Sequence, residues 1–187
     1  MRGLAFSIPS FPDLKRLGAS LSRLRIRPLT AALRVELGPD VEIEGRVWIP
    51  GAGRVHLGRG VRLRGRRAPI ELRAHEGAEI WLDEGVIVEA GASIEATACV
   101  QIGARATIGA FAKIIDNHYH RAVGDRKERP AGVLISVGSD AIIGPRAILL
   151  PGARVAARAV VGAGEVLSNR HEAESSRHRR SDAQRVA

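Results

Sequence analysis

From residue 137 onward an aliphatic side chain returns at every sixth position: Val137, Ile143, Leu149, Val155, Val161 and Leu167. Four residues after each of the first four stands an alanine, Ala141, Ala147, Ala153 and Ala159. The period therefore carries an inward plug and a residue small enough for a tight corner. That combination predicts a parallel β-helix, in which short strands of successive coils stack over one continuous core. Composition agrees, because hydrophobic residues make up 45% of the 187 but aromatic ones only 3%. A core of Val, Ile, Leu and Ala suits thin, regular coils.

Upstream the same register runs through Leu82, Val88 and Ile94, with Val86, Ala92 and Ala98 at the corners. An eight-residue step then leads to Ile102, Ile108 and Ile114, with Ala106 and Ala112. The repeats begin raggedly over 41–49, with Leu57 and Leu63 as plugs and a wider excursion through 64–69. The chain divides into a basic amphipathic helical segment over 1–35, a β-helix domain over 36–168 with an extended loop at 115–136, and a polar, basic tail over 169–187. In the first segment Leu14, Leu17, Leu21 and Leu24 fall on one helical face among Lys15, Arg16, Arg23 and Arg25. Such a helix is suited to cap the open end of the β-helix or to contact a membrane surface peripherally.

The formal net charge of +9 is nearly all arginine, which binds phosphate and carboxylate through a planar fork. Anionic partners are admissible. Nucleic acid is not expected, because aromatic interleaving and any recognition motif are missing. The single cysteine, Cys99, excludes an internal disulfide and is expected to be a packed, inert thiol. Residues 4–8 are too short and too interrupted for a signal peptide, and no apolar run reaches membrane-span length. The expected location is cytoplasmic, including the inner face of the membrane.

Two of the six histidines, His118 and His120, lie in the large break in the hexads, where an extended backbone projects both to one side. An insertion in a regular solenoid lies on the surface and commonly carries function. Imidazole takes up a proton near neutral pH and serves as a general base. Asp116, two residues before His118, is placed either to orient an imidazole or to cap the turn.

The segments Ile102-Gly-Ala-Arg-Ala-Thr-Ile-Gly109, Ile114-Ile-Asp-Asn-His-Tyr-His120, Val137-Gly-Ser-Asp-Ala-Ile-Ile-Gly144, Leu149-Leu-Pro-Gly152 and Val161-Gly-Ala-Gly164 resemble the hexapeptide-repeat O-acetyltransferases of the galactoside, maltose and polysaccharide type. The resemblance covers about residues 80 to 168. It implies a left-handed β-helix, a homotrimer, and acetyl-CoA in a groove between two subunits. It also implies a loop histidine that deprotonates a sugar or glycan hydroxyl for attack on the thioester, with no metal. By this resemblance His120 is the catalytic base and His118 its alternative. Tyr119 stands on the family's aromatic position, and the acceptor lies near Glu89 and Tyr119. The coenzyme groove involves Gly144, Arg146, Gly162, Ala163 and the tail residue Arg170.

Three departures stand out. The family often steadies the oxyanion with the main-chain N–H of the residue after the glycine, and here that residue is Pro145, which has none. Glu89 takes a position where Asn or Ser is usual. The closing motif is replaced by Ser168-Asn-Arg170. These keep a second reading open, a non-catalytic β-helix scaffold. A third, a γ-class carbonic anhydrase-like metalloenzyme, wants a third histidine one coil away, and by sequence His56 and His75 lie too far upstream for that.

Overall fold

The computed structural model describes residues 34–119 and 130–169. The expected N-terminal helix, the tail with Arg170, and residues 120–129 of the loop, including His120, lie outside them. The described chain is all β and forms a left-handed parallel β-helix with three faces.

Face one stacks β1 (Val35–Leu37), β3 (Arg54–Leu57), β5 (Glu79–Leu82), β8 (Cys99–Ile102), β11 (Ile135–Val137) and β14 (Arg154–Val155). β4 (Arg62–Ala74) turns a corner, so that its first half joins face two and its second half face three. Face two continues with β6 (Ile87–Val88), β9 (Thr107–Ile108), β12 (Ile142–Ile143) and β15 (Val160–Val161). Face three continues with β7 (Ser93–Ala96), β10 (Lys113–Ile115), β13 (Ile148–Leu149) and β16 (Val166–Leu167). The plugs stack in register, for example Val88 on Ile108 on Ile143 on Val161, and Leu72 on Ile94 on Ile114 on Leu149. All of these lie in the core, as do the corner residues Ala92, Ala106, Ala112, Ala141, Ala147 and Ala153.

The corners explain the hexad. In Gly144-Pro-Arg-Ala147 the Ala147 N–H bonds back to the Gly144 carbonyl at 3.2 Å, and the third residue, Arg146, has φ 59°. This is a type II turn, which accepts proline second and needs positive φ third. The same i to i+3 bond recurs in 103–106, 109–112, 138–141 and 156–159. The residue that closes each of these turns sits at an edge where two faces meet, and there a small side chain fits.

The expected excursion at 64–69 is a widening of the coil within the 13-residue β4: against β2 (Glu42–Trp48) the register passes from Gly45 on Gly65 to Val47 on Ile70, so that 66–69 stand opposite Arg46 alone. A Cβ on Gly45 (φ 77°) would stand 2.4 Å from the Gly65 carbonyl. Glycine at this crossing lets two strands bend together around the prism edge.

Candidate functional site

The histidine loop leaves the prism after β10, at the edge where face three ends. Its first side chain, Asp116, is fully buried and points down onto the preceding coil. Its carboxylate accepts from the Thr97 N–H (2.7 Å) and hydroxyl (2.9 Å) through one oxygen, and from the N–H groups of Ala98 (2.7 Å) and Cys99 (3.0 Å) through the other. In this position Asp116 caps the 97–99 turn of the preceding coil rather than its own. Asn117, also buried, donates from its amide to the Pro130 carbonyl and accepts from the Tyr119 N–H, tying the outgoing stem of the loop to the returning one. Val133 N–H on the Asp116 carbonyl (2.8 Å) closes the base. Gly132 passes so close over the Thr97 turn that a Cβ would sit 2.5 Å from the Thr97 hydroxyl. The loop therefore stands on a rigid footing. His118 is exposed on it, and no side-chain hydrogen bond holds it among the described residues.

Tyr119 is held on both sides. Its backbone has φ 61°, uncommon for an aromatic residue and costing about 1–3 kcal/mol. Its hydroxyl lies 3.0 Å from Nε2 of His75, and the same Nε2 lies 2.8 Å from Oε1 of Glu95. An Nε2–H shared between the carboxylate and the phenol oxygen satisfies both contacts. Arg73 completes the cluster, 2.7 Å from Glu71 and 3.7 Å from Glu95. Burial, followed by the Glu95 carboxylate, pushes the Tyr119 phenol up from its ordinary value. Burial also acts to raise Glu95, but the hydrogen bonds from Tyr119 and His75 and the Arg73 charge outweigh it and hold the carboxyl down. Cys99 beside this edge is part-buried and its thiol pushed up, chiefly by burial, which leaves it unreactive.

The residues expected at the coenzyme occupy a different edge, between faces two and three. There the turns beginning at Glu89, Gly109, Gly144 and Gly162 stack, linked by Phe111 N–H to Ala90, Arg146 N–H to Ala110 and Gly164 N–H to Pro145. A Cβ on Gly144 would meet the Ala163 nitrogen at 2.7 Å, so Gly144, Gly162 and Ala163 form one smooth column, with the Arg146 turn beside it. Glu89 is on this edge too, but its carboxylate is paired with Arg64 at 2.9 Å. Among the described residues, the second-residue N–H groups of three of these turns, Ala90, Ala110 and Ala163, have no main-chain acceptor. Pro145 removes this donor from its own coil, and the flanking N–H groups of Gly144, Arg146 and Ala147 are all engaged. Within one subunit, this column and the histidine loop sit on separate edges.

No protein-family profile matches the chain, and no curated protein matches it. Among solved structures it is similar to a hexapeptide transferase family protein from Anaplasma phagocytophilum, with 19% identity over 72% of this chain and 73% of that one and a TM-score of 0.43. It is also similar to the polysialic acid O-acetyltransferase OatWY, with 16% identity over 72% and 79% and a TM-score of 0.40.

Sequence spacing missed His75 and Glu95. His75 is distant in sequence, yet it follows the second half of β4, which stacks under β7 as β7 does under β10. Forty-four residues of separation become two coils. No group of three His, Cys, Asp or Glu residues suited to a metal ion exists among the described residues. His56 is built into another face, stacked on Trp81 (3.6 Å between ring centroids) with Nδ1 2.8 Å from Glu36.

Proposed function

We propose that this protein is an O-acyltransferase that moves an acetyl group from acetyl-CoA to a hydroxyl of a sugar or cell-surface polysaccharide precursor. The observation that carries this reading is a histidine-bearing loop, mounted on a buried Asp116–Asn117 footing, that interrupts otherwise regular coils. The resemblance in the hexads and loop supplies the chemistry. His120, with His118 as alternative, takes the proton from the acceptor hydroxyl, and the oxygen attacks the thioester carbonyl. The tetrahedral oxyanion then collapses to the ester, and the CoA sulfur leaves with the proton returned by the imidazolium.

The smooth column of Gly144, Gly162 and Ala163, with Arg146, suits the pantetheine arm of acetyl-CoA. Arg170 faces its phosphates, and Tyr119 and Glu89 line the acceptor side. Because column and loop lie on different edges of one subunit, a working site needs the loop of one subunit beside the column of the next. This favours a homotrimer. The oxyanion donor that Pro145 lacks comes from the Arg146 side chain or from a free corner N–H one coil away. The β-helix over 36–168 is the catalytic unit on this reading. The basic segment over 1–35 is suited to cap the β-helix or to contact the inner face of the membrane, and the arginines of the tail over 169–187 to pair with coenzyme phosphates.

Pro145 favours a second reading, a non-catalytic β-helix scaffold. The test is release of free thiol from acetyl-CoA with a panel of saccharide acceptors, alongside sedimentation. Acceptor-dependent release by a trimer, lowered about 100-fold or more in His120→Ala, supports the enzyme. A monomer at micromolar concentration with no thiol release and no CoA binding by calorimetry supports the scaffold.

A further inference from the structure

We infer that His75 and Glu95 are positioning residues for the loop histidine, acting through the phenol of Tyr119 from two coils away. The inference rests on the proposed acyl transfer and adds residues to it that the loop itself does not contain. Tyr119 stands between His118 and His120, so whatever fixes its backbone fixes the direction from which either imidazole is presented. Its φ of 61° is the conformation a glycine would take without cost. A tyrosine persists there only because its surroundings over-determine it.

Asn117 accepts the Tyr119 N–H, and the hydroxyl at the far end of the side chain is held by Nε2 of His75 at 3.0 Å, with Glu95 fixing that imidazole. Glu95 is held in turn by His75 at 2.8 Å and by Arg73. Residues 71, 73, 75 and 95 lie on regular strands or directly after one, on the stacked face that carries the loop, so the anchor is stiff where a loop is not. A base displaced by about 1 Å can lose on the order of 100-fold in rate without loss of substrate binding. A device that registers the loop to the coils should therefore show itself in turnover.

The experiment compares Tyr119→Phe, Glu95→Gln and the double variant with wild type in thiol release, and repeats Tyr119→Phe in the background of whichever histidine-to-alanine change abolishes turnover. Tyr119→Phe keeps the ring and removes only the hydroxyl. The expected result is a 10- to 100-fold fall in kcat for each single variant with the KM for acetyl-CoA within twofold. The double variant should be no worse than the poorer single one, and the hydroxyl should have no further effect once the base is gone. Three outcomes would each overturn the inference while leaving the transferase standing: kcat within twofold of wild type, the same fold loss in the base-less background, or a loss confined to KM. If His75→Gln abolishes turnover while both loop histidines can be replaced, His75 is itself the base and the positioning role is wrong. A wild type that releases no thiol with any acceptor sinks the functional reading itself, a result distinct from all of these.

Discussion

Asp116→Asn is the perturbation that best separates a structural from a chemical role at this edge. The wild-type carboxylate takes four hydrogen bonds, two on each oxygen, in a site closed to solvent. An asparagine with its oxygen toward Thr97 sets an NH2 against the N–H groups of Ala98 and Cys99, and both bonds are lost. With the amide turned over, those two survive, the Thr97 hydroxyl can reverse to accept, and the Thr97 N–H alone is left facing a donor. Bonds to a charged acceptor contribute about 1.5–3 kcal/mol each, and a stranded buried N–H costs about 1–3 kcal/mol. The cheaper orientation also replaces charged bonds by neutral ones, so the substitution should destabilise by about 2–4 kcal/mol. Against a total of roughly 5–15 kcal/mol that is a large fraction. For a domain of this size it lowers Tm by roughly 8–15 °C. Circular dichroism melts and urea titrations read it directly. A loss below about 1 kcal/mol would refute the argument. Unchanged stability with abolished turnover would show that Asp116 serves an imidazole instead.

Proline scanning locates the oxyanion donor, since the second position of each type II turn accepts proline and loses only an N–H. Pro145→Ala should raise kcat with little change in the KM for acetyl-CoA if an amide there completes the site. Ala110→Pro or Ala163→Pro should lower kcat up to about 100- to 1000-fold at whichever coil supplies the donor now, and steady-state kinetics at equal Tm decides. The Tyr119 cluster sets two pH limbs. Glu95 is held below its ordinary 4.5, so its stabilisation is present above that value and is lost as pH falls through the lowered one. Tyr119 is raised from its ordinary 10, so its contribution is present below pH 10 and is lost as pH climbs beyond it. Tm against pH should flatten on the acid limb in Glu95→Gln and on the alkaline limb in Tyr119→Phe. Ile108→Ala, in the fully buried column of face two, should cost about 2–5 kcal/mol in the same melts.

Much of the coil was legible in the hexads because plug and corner have separate physical requirements, an aliphatic that fills a prism and a small side chain, mostly alanine and at most valine in the buried corners, where two faces meet. Ile102, Ile108, Ile114 and Ile143 with Ala106, Ala112 and Ala141 stand where the period puts them. The widened β4 corner was legible as a break in the hexads at 64–69, whereas the facing of Gly45 and Gly65 was not, because pairing across strands leaves no signal along one. The site divides the same way. Asp116 was visible as a turn residue, but its bonds to Thr97, Ala98 and Cys99 were not, because they join successive coils. His75 and Glu95 were hidden because outward-facing positions carry no hydrophobic signal, and their convergence with Tyr119 arises only once the coils stack. Pro145 as a missing donor was readable from its chemistry alone, whereas the engaged state of its neighbours Gly144 and Arg146 needed the main-chain bonds.

The most direct test of the central claim is a crystal of the full chain soaked with CoA. The account predicts a trimer with the pantetheine arm along the column of Gly144, Gly162 and Ala163 in one subunit, and the sulfur within reach of His120 or His118 of the adjacent one. A trimer with no CoA at this edge, or CoA bound with its sulfur facing no histidine, would contradict it.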